Sequence, residues 1–371
     1  MTAIHCFEEA ELSIRRGYDV EKMRETLIKM VAHESVDEGM KWRCLLASCR
    51  SSTLTIPGST NLRNFRLVQG HLKLDLNSIV HGHNGTLLHW ACDTENLSLI
   101  HELLFVEKVN VNCQTTEKAF PDGKFVTQNS YGSSSYAVGV TPLMLVVGHV
   151  RMHVVVTLLK HPEVDIELKD QEGKTAIFYT LKRWIRHGYE TKLKILKLLV
   201  SLGADIDARS GKVKSWDYYT SDEDEDLDDV IKHKSGDDIF DRYNIYGVTL
   251  LTEIACEKQP VIHTQMIKFL LKLGCEGKIS QRTMNSLKER YKGDPTFEQQ
   301  PKSGQPLSLL NQSRAVIRKK LREASKGTWH NQGVNFSDRV VSLVSCGEIS
   351  EIMGEYIKGF TSSDLSFLAD L

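Results

Sequence analysis

The chain has 371 residues, which is more than one ordinary domain, so we expect either two domains or an array of repeats. Hydrophobic residues make up 41% of it, enough to fill a core along most of its length. Lysine and arginine total 47 against 48 acidic residues, and this balance argues against a dedicated nucleic-acid binder. No run approaches the roughly 18 apolar residues of a membrane span. The first 19 residues carry acidic side chains where a signal peptide has an apolar core.

The 8 cysteines are scattered and form no C-x-x-C pair. Disulfide frameworks and zinc ribbons both need closer spacing, so we expect free thiols in a reducing compartment. His81, His83 and His89 have no cysteine or acidic partner at ligand spacing, so we expect no metal and no other cofactor. These features predict a cytoplasmic protein, and the basic cluster 318–322 leaves a nuclear location open.

One short pattern recurs through the middle of the chain. Each copy has a glycine or asparagine two residues before a threonine, and the copies lie at 84–91, 139–143, 173–177 and 247–251. A second stretch with apolar residues at helical spacing follows each of them, at 97–106, 152–160, 193–202 and 264–273. Self-similarity of this kind indicates an array of helical repeats.

Short alternating segments close three of these units: Val109–Asn112, Val164–Glu167 and Ala204–Asp207. An earlier copy, Leu74–Asn77, indicates a degenerate unit over 45–79. A helix pair this short cannot bury its own apolar face, so the units must stack on one another.

Local residues are consistent with helix ends at the expected places. The hydroxyl of Thr141 is placed to cap a helix, and Pro142, just inside it, needs no amide hydrogen there. Gly203 lies past the end of a second helix, where a left-handed residue is common.

This pattern resembles the ankyrin repeat, whose core reads G-x-T-P-L-H-x-A. Thr141-Pro142-Leu143 and His89 keep the letters of that core, and the resemblance covers about 45–280. It implies an all-α solenoid of about five divergent repeats within 45–300, after an N-terminal helical cap at 1–44. Residues 62–280 would then form one curved stack.

Two long insertions interrupt the array. From Gly139 to Gly173 is 34 residues, close to the ankyrin period of about 33. The surplus elsewhere lies at 114–138 and at 209–244, each between a unit ending and the next threonine, where ankyrin repeats project hairpin loops. The second insertion contains the acidic run 221–229, which we interpret as a solvated loop, with a binding element as the alternative.

Residues 308–321 read as a helix with one apolar face and a basic opposite side. This segment resembles the Elongin-binding half of a SOCS box, S/T/P-L-x-x-x-C/S-x-x-x-I. The resemblance implies that Leu309 enters a pocket of Elongin C. The full set of residues implied at the Elongin C contact is Leu309, Ser313, Ile317 and Leu321.

The second half of a SOCS box contacts a cullin and reads L-P-L-P-x-x-L-x-x-Y-L. Asn335 and Ser337 stand where this pattern has prolines, so Elongin binding is better supported than cullin binding. The apolar positions of the pattern correspond to Val334, Phe336, Val340, Leu343 and Val344. The SOCS box would span 305–345, followed by an extension at 346–371 with no assigned role.

The two resemblances imply a substrate-recognition adaptor of an Elongin B/C–cullin–RING ubiquitin ligase, with the target protein bound on the ankyrin surface. The sequence contains no nucleophile–base or paired-carboxylate arrangement whose spacing differs from what chance would give, so we expect that the chain is not an enzyme. One alternative is an ankyrin scaffold or inhibitor whose last helices only cap the stack. Another is an ankyrin protein with an F-box-like tail.

Limited proteolysis should cut the chain first within 114–138 and 209–244. Segments of this composition bury too little apolar surface to offset the entropy lost on ordering. Mass spectrometry of the earliest fragments checks this expectation. Protection of residues 222–229 in the chain without a partner would contradict it.

Overall fold

The structure is a computed structural model that describes residues 2–15, 20–33, 35–49, 62–80, 83–116, 138–181, 188–210, 249–256, 263–273 and 281–298. These segments are mostly helical and contain no β-strand, as the sequence predicts for an all-α chain. The described segments contain two isolated antiparallel β-bridges, Ile79–Thr86 and Arg209–Thr249. Most of both insertions and all of 299–371 lie outside the described residues.

The helices follow one another as consecutive pairs, and each of the four predicted second stretches is helical. The pairs are α1 (Ala3–Arg15) with α2 (Val20–Val31), α3 (Glu38–Cys49) with α4 (Leu62–Leu72), α5 (Leu87–Asp93) with α6 (Leu97–His101, continued by a π-helical turn at Glu102–Val106), α7 (Pro142–Gly148) with α8 (Met152–Leu159), a 3₁₀ helix (Ala176–Leu181) with α9 (Tyr189–Ser201), α10 (Leu250–Cys256) with α11 (Thr264–Leu273), and α12 (Gln281–Arg290) with α13 (Pro295–Glu298). Within the described residues, no helix is both long enough and apolar enough to cross a membrane.

Contacts within the chain define two compact units, and the first comprises residues 1–146 and 153–164. In this unit α1 packs on α2 and α3 packs on α4. Each helix also packs on its counterpart in the next pair, α1 on α3 and α2 on α4. This double packing buries Leu27, Trp42 and Phe65, whose exposed fractions are 1% or less.

The second unit comprises residues 147–152 and 165–371. Its described part repeats the same arrangement. The 3₁₀ helix packs on α9, and the next pair packs on both of them, α10 on the 3₁₀ helix and α11 on α9. Ile195, Leu199 and Leu270 are fully buried as a result.

The predicted helix ends are confirmed at three residues. The Oγ1 atom of Thr141 accepts a hydrogen bond from the N–H of Met144 at 3.2 Å, and α7 begins at Pro142. Helix α9 ends at Ser201, and Gly203 follows it with a φ of 93°. One expected α-helix differs, because Ala176–Leu181 winds as a 3₁₀ helix.

A strained residue lies in the turn between α7 and α8. Val150 has a φ of 58°, in the left-handed region that β-branched residues rarely adopt. The corresponding turn between α5 and α6 has Glu95 at a φ of 55°. The same left-handed backbone conformation therefore recurs in the turns of two helix pairs. In the second turn it is adopted by valine, a β-branched residue that disfavours it.

Val150→Gly should raise the free energy of unfolding by about 1 kcal/mol. The left-handed conformation costs an L-residue roughly 1–2 kcal/mol, and the extra freedom of glycine in the unfolded chain removes part of that gain. Denaturant titration measures the change. The matched control, Val156→Gly inside α8, should destabilise the chain, and destabilisation by both substitutions would contradict the strain argument.

Candidate functional site

The residues predicted to bind Elongin C and a cullin all lie outside the described part of the chain. They are Leu309, Ser313, Ile317 and Leu321 for Elongin C, and Val334, Phe336, Val340, Leu343 and Val344 for the cullin. Their roles therefore stay predictions. Within each compact unit the structure describes an edge where two unit endings are linked, Asn77 to Asn110 in the first unit and Glu167 to Asp205 in the second.

Each of the four unit endings folds into the same tight turn. The side chain of the second residue accepts a hydrogen bond from the backbone N–H two residues later, which defines an Asx turn. The bonds join Asp75 to Asn77 at 3.0 Å, Asn110 to Asn112 at 2.9 Å, Asp165 to Glu167 at 2.8 Å and Asp205 to Asp207 at 3.2 Å. The turn requires a short side chain with an acceptor oxygen, so aspartate or asparagine stands at this position in all four endings.

The fourth residue of an ending connects it to the following one. In the first unit, Oδ1 of Asn77 accepts a hydrogen bond from the backbone N–H of Asn110 at 2.7 Å. In the second unit, Oε1 of Glu167 accepts one from the N–H of Asp205 at 2.6 Å. These two bonds are equivalent in position, and they fix the register of one helix pair against the next.

Apolar and polar residues alternate in these endings, and the two kinds of residue have different roles. The apolar residues face inward, and Leu76, Val111 and Ile206 are all buried. The polar residues between them make the turns and the connections. From the sequence, these segments were predicted only as the closing ends of the repeat units, with no turn geometry. The recurring aspartate or asparagine at the second position is the sequence signal for the Asx turn.

The imidazole of His89 connects α5 to the backbone that precedes α7. Its Nδ1 atom accepts a hydrogen bond from the backbone N–H of Thr86 at 3.2 Å, and its Nε2 atom lies 2.9 Å from the carbonyl oxygen of Val140. A carbonyl oxygen can only accept, so Nε2 carries the hydrogen and Nδ1 is the acceptor. Burial lowers the pKa of His89 to about 4, so this imidazole is neutral near pH 7.

At each insertion, described residues on the two sides of the inserted segment pair with one another. At the first insertion, the N–H of Thr115 donates to the carbonyl oxygen of Val140 at 2.9 Å, and the N–H of Val140 donates to Oγ1 of Thr115 at 2.9 Å. At the second insertion, Arg209 and Thr249 form one of the isolated bridges. The described chain on the two sides of each insertion is therefore held together by hydrogen bonds or a bridge.

The π-helical turn that follows α6 was not predicted from the sequence. The backbone N–H of Glu107 donates to the carbonyl oxygen of Glu102 at 3.0 Å, five residues earlier. The carboxylate of Glu102 accepts two hydrogen bonds from Arg66 at 2.5 and 2.6 Å, and this guanidinium holds the pKa of Glu102 below its usual value. The pairing attaches the turn to α4. No local residue pattern distinguishes this turn from an ordinary helix.

The same turn exposes two apolar side chains, Phe105 and Val106, whose exposed fractions are 41% and 54%. The Phe105 ring lies between the imidazoles of His101 and His161, with centroid distances of 4.8 and 5.6 Å. Turns of π geometry are frequent at functional sites, and exposed apolar side chains can form part of an interaction surface.

The described segments contain no group of three or more histidine, cysteine, aspartate or glutamate side chains placed to hold a metal ion. Among the described residues, Cys6, Cys44, Cys49, Cys92 and Cys113 form no disulfide. Burial raises the pKa of Cys44 to about 12, so this thiol stays protonated near pH 7 and is a poor nucleophile.

Comparisons with known proteins assign the chain to no group. No protein-family model matches it, and a search of the curated proteins gives no significant match.

His89 should make the chain less stable as the pH falls from about 6.5 to about 4. The folded-state pKa lies below the unfolded one, so in this window the unfolded chain binds a proton that the folded chain does not. The loss should reach about 3 kcal/mol at the acidic end, at about 1.4 kcal/mol per pKa unit. Denaturant titrations across this window measure it.

His89→Gln should remove this part of the pH dependence. The matched control is Met144→Ala, at the equivalent position after Thr141, which should lower stability without changing the slope against pH. Equal slopes for His89→Gln and the unchanged chain would show that His89 is not the titrating group.

Proposed function

We propose that the chain is a non-catalytic adaptor of a ubiquitin ligase. In this proposal an ankyrin-repeat array binds a target protein. A SOCS box at 305–345 binds Elongin B–Elongin C, and through them a cullin and a RING subunit. The observation that carries the proposal is the order of two patterns, a succession of stacked helix pairs followed by the L-x-x-x-S-x-x-x-I motif that begins at Leu309.

The ankyrin part of the proposal is supported by details that recur from pair to pair. The helices are short, and each unit contains two successive pairs whose helices pack on their counterparts, α1 on α3 and α2 on α4 in the first unit, and α10 on the 3₁₀ helix and α11 on α9 in the second. Thr86 and Thr141 stand at equivalent helix starts, and the imidazole of His89 bonds to the backbone ahead of the following pair. The unit endings share one turn geometry. A stack of similar units accounts for all of these features together.

The SOCS-box part rests on sequence alone. Leu309, Ser313 and Ile317 occupy the three defining positions of its Elongin-binding pattern. Such a pattern arises often by chance in a single helix, and much more rarely just after a repeat array. The cullin-contacting half lacks both prolines of the family, at Asn335 and Ser337, so the cullin is the less supported partner.

The proposed mechanism is geometric. The adaptor would hold a target lysine near the conjugating enzyme, so that ubiquitin transfer becomes effectively intramolecular. Two linked binding sites raise the local concentration of the target, often to the millimolar range for short links. The bond-making chemistry would belong to the partners, and the adaptor would contribute selection and proximity.

The edge made by the unit endings 74–77 and 109–112, in the first unit, is the surface that we propose for target contact. It is polar, and Asp75, Asn77 and Asn110 are exposed along it in the first unit. The first insertion leaves the same unit next to Thr115, so loop and edge would present one composite surface. Binding residues are commonly found on loops that a rigid scaffold positions.

Leu309→Ala should weaken binding to Elongin B–Elongin C roughly tenfold to a hundredfold. Burial of a leucine side chain is worth about 1.5–3 kcal/mol, and each tenfold change corresponds to about 1.4 kcal/mol. Leu309→Asp should weaken binding further, because it brings a charge into an apolar pocket. Titration calorimetry against purified Elongin B–Elongin C measures both effects.

The control is Lys319→Ala, on the basic side of the predicted helix, which should leave the affinity nearly unchanged. Thermal melts should show the helix pairs equally stable in all variants. If 308–321 only caps the stack, Leu309→Asp will lower the melting temperature and no variant will bind Elongin. Unchanged affinity in Leu309→Asp would reject Leu309 as the anchor.

A further inference from the structure

We draw no further inference here: the strongest candidate, the exposed apolar side chains of Phe105 and Val106 on the π-helical turn after α6, is an apolar surface patch, and nothing in the structure shows what covers it.

Discussion

The arrangement of the chain depends on the inability of a short helix pair to bury its own apolar face. An isolated pair leaves its large side chains in water, and burial of each one is worth about 1.5–3 kcal/mol. In both units the helices therefore pack on their counterparts in a neighbouring pair. Trp42, Phe65 and Leu270 lie in helices that pack on a neighbouring pair, and their exposed fractions are 1% or less. Stability is thus shared between neighbours and does not belong to any one pair.

Apolar burial is not directional, and so it does not by itself determine how one pair is oriented on the next. Hydrogen bonds made by polar residues in and near the unit endings determine this orientation. Asn77 connects to the backbone of Asn110, and Glu167 connects to the backbone of Asp205. The buried imidazole of His89 reaches the carbonyl oxygen of Val140. Each of these contacts lies within one compact unit, and there it specifies the register of one helix pair on the next.

Features set by neighbouring residues were predictable from the sequence. The cap at Thr141, the proline after it and the left-handed Gly203 all follow from local backbone chemistry. The second helices were predicted because their apolar spacing extends over two turns or more. The Asx turns could have been predicted from the repeated aspartate or asparagine, although the alternating segments were interpreted only as the closing ends of the units.

Features set by distant residues were not predictable in this way. The π-helical turn at Glu102 is attached to Arg66, 36 residues earlier in the chain. The left-handed Val150 contradicts its own backbone preference, so packing around the turn must impose it. The role of His89 needed the position of Val140, which belongs to the next repeat. The proposed Elongin and cullin contacts depend on residues beyond 299, and they remain sequence-based.

The central claim is that this chain combines a target-binding array with an Elongin-binding helix. Co-expression of the full chain with Elongin B and Elongin C, followed by size-exclusion chromatography with light scattering, tests it most directly. We expect a single complex with one copy of each of the three chains. Elution of the folded chain alone, separate from an intact Elongin B–Elongin C pair, would contradict the account.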